Sequence, residues 1–209
     1  MKKILFLGDS ITDGARSRED DSYLGVCYPA SVSAQLDPDE YTVLNRGLSG
    51  NTVIDLYARI KRDAINLAPD VITILIGVND ILHEVADNDG VSADRFELIY
   101  NCMLEDIKAA LPNAKIIIMS PFVLLCPGTA DCELYPNRWE QLFTSVRTNA
   151  EISKRIADKF SCDFIDLQEL FDVASETNEN MLLLYDGIHP TELGHEMISD
   201  VWLSKFKNI

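Results

Sequence analysis

The sequence lacks the features that would direct it to a membrane or to nucleic acid. No hydrophobic run approaches the roughly 20 residues that cross a bilayer as a helix. Basic residues are scarce, with 18 Lys and Arg against 34 Asp and Glu, and the formal net charge is −16. Such an acidic surface repels phosphate backbones and anionic headgroups. We therefore expect no nucleic-acid partner and no membrane partner.

The sequence also has no obvious leader and no cysteine framework. Lys2 and Lys3 precede only four apolar residues before Gly8, which is too short for a signal peptide. If this start is native, we expect a cytoplasmic protein. The five cysteines are an odd number without a C-x-x-C pair, which indicates neither a zinc site nor a disulfide scaffold. Cys126 and Cys132 share one segment and could pair under oxidation.

What the sequence does contain is a regular alternation of short apolar runs and segments with helical spacing. The apolar runs predict five strands, at 4–7, 41–45, 71–76, 115–119 and 163–165. The helical spacing predicts helices over 29–36, 53–64, 92–111 and 139–160, and from 191 onward. This alternation predicts an α/β fold whose parallel sheet is covered on both faces, with residues 1–209 in a single domain.

Two internal segments are predicted to be loops. Residues 81–91 place His83 among several acids, so we expect a loop with an exposed histidine. Residues 120–137 are rich in proline, and a loop of that length in a compact domain is usually a pocket wall or a lid. Tyr135 and Trp139, near its end, could stack on a sugar ring in a substrate pocket. Packing at the start of a helix is the alternative for both.

Three predicted strands are followed by groups that acyl transfer requires. Ser10 follows the first strand, Gly47 the second and Asn79 the third. If the strand order is 2-1-3-4-5, these ends are neighbours beside the point where ligands bind in open α/β sheets. There a hydroxyl could attack a carbonyl, while an N–H group and a carboxamide stabilise the oxyanion. Taken alone, Ser10 could also belong to an ordinary strand-to-helix turn.

A serine hydroxyl is a weak nucleophile without a base, and the sequence has three histidines. We expect a structural or surface role for His195, which lies within the last predicted helix. His189 follows Asp186 by three residues, so the carboxylate can reach the imidazole, fix its tautomer and stabilise its charged form. Alone, this pair could be a capped helix entry. Together with the three strand-end groups, it indicates a catalytic base.

Four blocks of the sequence resemble those of the SGNH/GDSL hydrolases. They occur in the family's order as Gly8-Asp9-Ser10-Ile11, Gly47, Gly77-Val78-Asn79-Asp80 and Asp186-Gly187-Ile188-His189-Pro190. The first block has Ile where the family's motif has Leu, which is a conservative change. The resemblance implies a three-layer α/β/α fold close to that of flavodoxin, with a five-stranded parallel sheet. It also implies ester hydrolysis with no metal and no cofactor.

The resemblance further implies a role for each matching residue. Ser10 is the expected nucleophile, His189 the general base and then acid, and Asp186 the carboxylate that orients His189. The expected oxyanion hole consists of the backbone N–H groups of Ser10 and Gly47 and the side chain of Asn79.

Three further acids lie close to these residues in the sequence. We expect Asp9 to bond nearby backbone and Asp80 to support the Asn79 loop. Asp13 is expected to have a structural role at the start of the first helix, where an acid is favourable.

The expected substrate is a small-molecule ester with a short acyl group, acetyl above others, on a sugar or similar polar alcohol. Lysophospholipases and thioesterases resemble the same family and remain alternatives. The negative charge and the absence of a long apolar lid disfavour a phospholipid. The oligomeric state cannot be derived from the sequence.

Two other classes of protein explain part of the pattern. A flavin- or nucleotide-binding domain would use Gly8 to Gly14 as a phosphate loop, but it would not explain Asn79 or the pair of Asp186 and His189. The α/β-hydrolases share the order Ser, Asp, His. However, they place the serine in a G-x-S-x-G turn, which is absent around Ser10.

Overall fold

A computed structural model of the chain describes residues 1–207. Its sheet has five strands in the order β2-β1-β3-β4-β5, and all pairings are parallel. The strands are β1 (Lys2–Gly8), β2 (Tyr41–Gly47), β3 (Val71–Leu75), β4 (Lys115–Met119) and β5 (Asp163–Ile165). The predicted sheet and strand order are confirmed.

Helices connect the strands and cover both faces of the sheet. They are α1 (Ser10–Asp13), α2 (Tyr28–Gln35), α3 (Val53–Asp63), α4 (Val78–Asp87), α5 (Ala93–Ala110), α6 (Arg138–Phe160), α7 (Leu167–Ser175), α8 (Asn180–Leu183) and α9 (Glu192–Phe206). A short 3₁₀ turn, Ile65–Leu67, follows α3. Across residues 1–207, no helix combines the length and the apolar character needed to cross a membrane.

Successive residues of β1 contribute to two different hydrophobic cores. Ile4 and Phe6 pack in the core that contains residues of α2 and α9, whereas Leu5 and Leu7 pack in the core that contains residues of α3 and α5. All four side chains are fully buried. A strand covered on both faces has no polar alternation, which explains why its sequence is one continuous apolar run.

The prediction of a loop at residues 81–91 is wrong. Helix α4 continues through Asp87, and it ends at Asn88 in the left-handed conformation with φ of 53°. Ile81 is buried and Val85 packs partly buried against the same core, so apolar contacts hold the helix in spite of its acids. His83 therefore lies on a helix and is half-buried, not exposed.

Residues 120–137 contain no helix and no strand, as predicted. Hydrogen bonds to α7 hold the first half of this segment in place. Ser120 Oγ accepts the backbone N–H of Leu167 at 2.8 Å, and the Gln168 side chain bonds both backbone groups of Val123. The thiols in this segment are free, and Cys126 is buried whereas Cys132 is exposed.

Candidate active site

Ser10 is the first residue of α1, which is a single helical turn directly after β1. Asp9 caps this turn, because its Oδ1 accepts the N–H of Ile11 at 3.0 Å. Gly14 ends the turn in the left-handed conformation, with φ of 49°. A Cβ at Gly14 would lie 2.5 Å from the Cβ of Cys27, so only glycine allows this close approach. Ser10 is thereby held at the carboxyl end of β1, an inner strand of the sheet.

The Ser10 hydroxyl lies against an imidazole that a carboxylate holds in turn. Ser10 Oγ is 2.9 Å from His189 Nε2, and His189 Nδ1 is 2.7 Å from Asp186 Oδ2. Asp186 Oδ1 also accepts the backbone N–H groups of Ile188 and His189, at 2.9 and 2.8 Å. Because Nδ1–H donates to the carboxylate, Nε2 is left with the lone pair that can accept the Ser10 proton.

The hydrogen bonds between His189 and Asp186 also shift the pKa values of both groups. The hydrogen bond that His189 Nδ1–H donates to Asp186 is the main cause that raises the pKa of His189 above its ordinary value. Partial burial by itself would raise the pKa of Asp186. The hydrogen bonds from His189 and from the Ile188 N–H outweigh it and lower that pKa to about 2. The carboxylate therefore stays ionised at neutral pH and stabilises the charged imidazole.

A closed turn positions Asp186 and His189. Leu184 and Pro190 form an isolated antiparallel bridge, and the Tyr185 N–H donates to the His189 carbonyl at 3.1 Å. Gly187 has φ of 97°, and a Cβ there would lie 2.5 Å from the carbonyl oxygen of Leu124. The first half of residues 120–137 thus packs directly beneath the turn, as the Leu124 N–H bond to the Gly187 carbonyl at 2.9 Å also shows.

Asn79 and Asp80 lie in the first turn of α4 and are both buried. Asn79 Nδ2 donates one hydrogen to the Asn51 carbonyl at 3.1 Å, so its second N–H remains available. Both oxygens of Asp80 accept the Val53 N–H at 3.2 Å, which ties α4 to the start of α3. Burial raises the pKa of Asp80 to about 7.

The structure does not support Gly47 as an oxyanion donor. Its N–H already donates to Asn45 Oδ1 at 2.8 Å. A Cβ at Gly47 would lie 2.2 Å from the backbone nitrogen of Asp13, so glycine is required here for close packing of β2 against α1. The expectation is corrected: Gly47 has a packing role, and its N–H is already used within the protein.

Gly50 is a better candidate oxyanion donor than Gly47. Its φ is 80°, and no atom lies within 4 Å of where a Cβ would be. Within residues 1–207, its N–H and that of Ser10 donate to no protein acceptor. The Leu48 N–H bonds the Gly8 carbonyl at 3.0 Å, and Asn51 bonds Asn79, so both ends of the Gly50 turn are fixed beside the end of β1. A glycine before asparagine is a turn signal that could have indicated this position.

Asp9 is nearly completely buried and incompletely bonded. It is 1% exposed, and its Oδ2 has no hydrogen-bond partner. Burial raises the pKa of Asp9 to about 7, although the Ile11 N–H and the charge of His189 oppose this shift. Within the described part of the chain, no three or more His, Cys, Asp or Glu side chains come together in a way that could hold a metal ion.

A groove of about 640 Å³ lies beside Ser10 and His189. Tyr185 forms part of its wall, is 56% exposed and stacks on the His189 ring with centroids 5.7 Å apart. His195 also lines the groove, a position that its place within a helix did not reveal. Tyr135 and Trp139 are not among the lining residues. Trp139 stacks on Phe143, and the Arg138 guanidinium lies over the Tyr135 ring.

Comparison with known proteins identifies related sequences. The profile of the GDSL-like lipase/acylhydrolase family matches residues 6–197. The chain is 30% identical to an acetylxylan esterase of Geobacillus stearothermophilus over 97% of this chain and 92% of that enzyme. It is 25% identical to an acetylxylan esterase of Xylanibacter ruminicola over 98% of this chain and 43% of that enzyme.

Solved structures show the same similarity. The crystal structure of the Geobacillus stearothermophilus acetylxylan esterase Axe2 has a TM-score of 0.84 at 29% identity, covering 98% of this chain and 93% of the other. Two catalytic mutants of that enzyme, one with a histidine and one with a serine replaced by alanine, each have a TM-score of 0.83.

Proposed function

The chain belongs to the GDSL-like lipase/acylhydrolase family and is a carboxylic ester hydrolase, and on that premise we propose how it acts. The proposed reaction removes a short acyl group, acetyl above others, from a sugar or similar polar alcohol. Ser10 is the proposed nucleophile, with His189 and Asp186 completing a triad. The observation that carries this proposal is the hydrogen-bonded series from Ser10 Oγ to His189 Nε2 at 2.9 Å and from His189 Nδ1 to Asp186 at 2.7 Å.

In the first step, Ser10 Oγ attacks the ester carbonyl carbon while its proton moves to His189 Nε2. The carbonyl oxygen becomes an oxyanion, which accepts hydrogen bonds from the Ser10 N–H, the Gly50 N–H and the Asn79 side chain. The tetrahedral intermediate then breaks its bond to the alcohol oxygen. The alcohol leaves with the proton from His189, and the acyl group remains on Ser10.

In the second step, water attacks the acyl-enzyme and gives a proton to His189. The second tetrahedral intermediate breaks its bond to Ser10 Oγ, which recovers the proton from His189 as the acid is released. Asp186 stays ionised throughout, consistent with its pKa of about 2.

Two observations support a short acyl group on a sugar. Two relatives are acetylxylan esterases, and the groove beside Ser10 carries exposed acids, Glu192 and Glu196, which disfavour an anionic phospholipid. Among residues 1–207, no contact favours a lysophospholipase, a thioesterase or a nucleotide-binding module. Sugar stacking by Tyr135 and Trp139 stays a prediction.

A serine substitution tests the nucleophile. Ser10→Ala should lower kcat for p-nitrophenyl acetate by roughly four to six orders of magnitude and abolish labelling by a fluorophosphonate probe. Ser22→Ala, in an exposed loop, is the matched control and should behave like the wild type. A Ser10→Ala protein with the wild-type rate would overturn the assignment. Faster hydrolysis of octanoate than of acetate esters would overturn the preference for a short acyl group.

A further inference from the structure

The backbone of α2 fixes the ring of His195 in one orientation. The Tyr28 N–H, at the start of α2, donates to His195 Nδ1 at 3.2 Å, and the two rings stack with centroids 6.4 Å apart. Because Nδ1 is the acceptor, the neutral ring carries its hydrogen on Nε2. Burial lowers the pKa of His195 to about 4, so the ring is neutral when His189 works as a base.

The Nε2–H of His195 is a donor without an acceptor. Within residues 1–207 it bonds no protein atom, and it is not one of the fully buried unpartnered side-chain atoms. His195 lines the same groove as Ser10 and His189. The two histidines are therefore opposite in function, since Nε2 accepts in His189 and donates in His195.

The residues that line the groove assign it to the alcohol side of Ser10. The candidate oxyanion donors, Gly50 and Asn79, lie at the ends of β2 and β3, and neither lines the groove. His189, which must hand its proton to the departing alcohol, does line it. A leaving alcohol that receives this proton therefore occupies the space in front of His189, Tyr185 and His195.

The other groove residues define the chemistry of that alcohol. Glu192 and Glu196 are exposed acids that can accept hydrogen bonds from hydroxyl groups, and Tyr185 offers an exposed aromatic face. A neutral polyhydroxylated ring satisfies all of these groups. An anionic alcohol would meet two like charges, and a purely apolar one would leave the His195 donor unpaired.

We propose that His195 determines specificity on the alcohol side: its Nε2–H donates a hydrogen bond to an oxygen of a neutral, polyhydroxylated alcohol and takes no part in the chemistry at the acyl carbon. This inference rests on the proposed function, because it concerns the alcohol that leaves from the Ser10-centred site.

Two substitutions of His195 separate its two hydrogen bonds. In His195→Asn, the amide oxygen can replace Nδ1 as the acceptor of the Tyr28 N–H, but the donor at Nε2 is lost. In His195→Gln, the amide nitrogen can replace the Nε2 donor, but the acceptor for Tyr28 is lost. Each variant is assayed with acetylated xylobiose and with p-nitrophenyl acetate, whose alcohol has no further hydroxyl groups.

The inference predicts a change in selectivity in one variant only. His195→Asn should lower kcat/KM for acetylated xylobiose about threefold to tenfold more than kcat/KM for p-nitrophenyl acetate, mainly through KM. His195→Gln should keep the wild-type ratio between the two substrates and have a lower Tm. If His195→Asn does not fold, His195→Phe keeps a ring against Tyr28 without the donor and should show the same loss of selectivity.

The outcomes distinguish this inference from the proposed function. An unchanged ratio in His195→Asn, or an equal loss on both substrates, overturns the role of His195 and leaves the esterase intact. A wild-type protein that hydrolyses neither substrate and is not labelled at Ser10 overturns the proposed function itself.

Discussion

Asp9 caps the turn that carries Ser10, and Asp186 accepts a hydrogen bond from His189, but the surroundings of the two carboxyl groups differ. Asp9, in the turn after β1, is 1% exposed and has one unpartnered oxygen. The Asp186 side chain, in the turn before α9, is 34% exposed and accepts from His189 and from two backbone N–H groups. The pKa of Asp9 is raised to about 7, and that of Asp186 is lowered to about 2.

The difference shows that burial and hydrogen-bond donors together, more than distance from Ser10 and His189, decide which carboxyl group carries charge. A carboxylate is stable where N–H groups replace the water it has lost, and unstable where they do not. Only Asp186 is therefore equipped to stay ionised beside a charged imidazole. Asp9 is suited to hold the backbone of α1, and with a pKa of about 7 it carries a proton below neutral pH.

Of the changes that test this comparison, Asp186→Asn has the largest expected effect. The amide oxygen can still accept the backbone N–H groups of the turn, so the turn itself should persist. The amide cannot hold His189 in the required tautomer, and kcat should fall by about 10⁴. Steady-state hydrolysis of p-nitrophenyl acetate measures this loss.

A control for this charge removal is Asp158→Asn, which removes an exposed carboxylate on α6 and should leave kcat unchanged. A loss smaller than about tenfold in Asp186→Asn would contradict the role given to this turn.

Asp9→Asn tests the role of Asp9 through the pH dependence of the free energy of unfolding. In the native state, Asp9 has a pKa of about 7 against the ordinary 3.8, so the folded protein binds its proton more tightly than the unfolded chain. Stability from this group is therefore full at low pH and is lost as the pH rises through about 7. The shift corresponds to a loss on the order of 4 kcal/mol, and Asn, which does not titrate, should remove that slope.

Urea unfolding in acidic and in mildly alkaline buffer measures the slope. Asp80, whose pKa is also raised to about 7, contributes in the same direction and remains in the variant, so the slope should shrink without vanishing. Equal pH dependence in wild type and Asp9→Asn would show that folding does not raise the pKa of Asp9.

The sequence was sufficient for those parts of the site that follow directly from strand ends and local spacing. Ser10 follows β1, Asn79 lies in the helix that follows β3, and Asp186 lies three residues from His189, so the strand order places Ser10 and Asn79 after neighbouring strand ends. The parallel sheet could be predicted because β1, β3 and β4 contain continuous apolar runs and the strands alternate with helical segments, whereas the strand order follows from the resemblance to the family.

The remaining features depend on contacts that the sequence does not contain. Gly47 and Gly50 are three residues apart in the sequence. Only the structure shows that the Gly47 N–H already donates a hydrogen bond to Asn45 Oδ1. The position of His195 depends on the Tyr28 backbone, which is 167 residues away in the chain. The sequence does not indicate helix α4 clearly, because several acids lie among the apolar residues that pack on the core.

The smallest expected effect comes from Arg18→Ala. This substitution tests whether burial or hydrogen bonding controls the pKa of Asp13, which lies in the same turn as Asp9. Asp13 is 2% exposed, almost as buried as Asp9. Burial alone would raise the pKa of Asp13, but bonds from Arg18, at 2.9 and 2.6 Å, and from the N–H and hydroxyl of Ser49, at 3.0 and 2.9 Å, lower it.

Arg18→Ala removes two of these donors. Because the Arg18 side chain is 46% exposed, we expect a loss of only about 1 kcal/mol at neutral pH, measured by urea unfolding. A lowered pKa contributes stability above the ordinary value of 3.8 and loses it as the pH falls, so wild type and variant should converge in acid. Lys154→Ala, which breaks an exposed pair with Asp158, is the control and should cost less. A constant difference at all pH values would mean that Arg18 stabilises the turn by packing, and donors would then no longer explain why Asp13 and Asp9 differ.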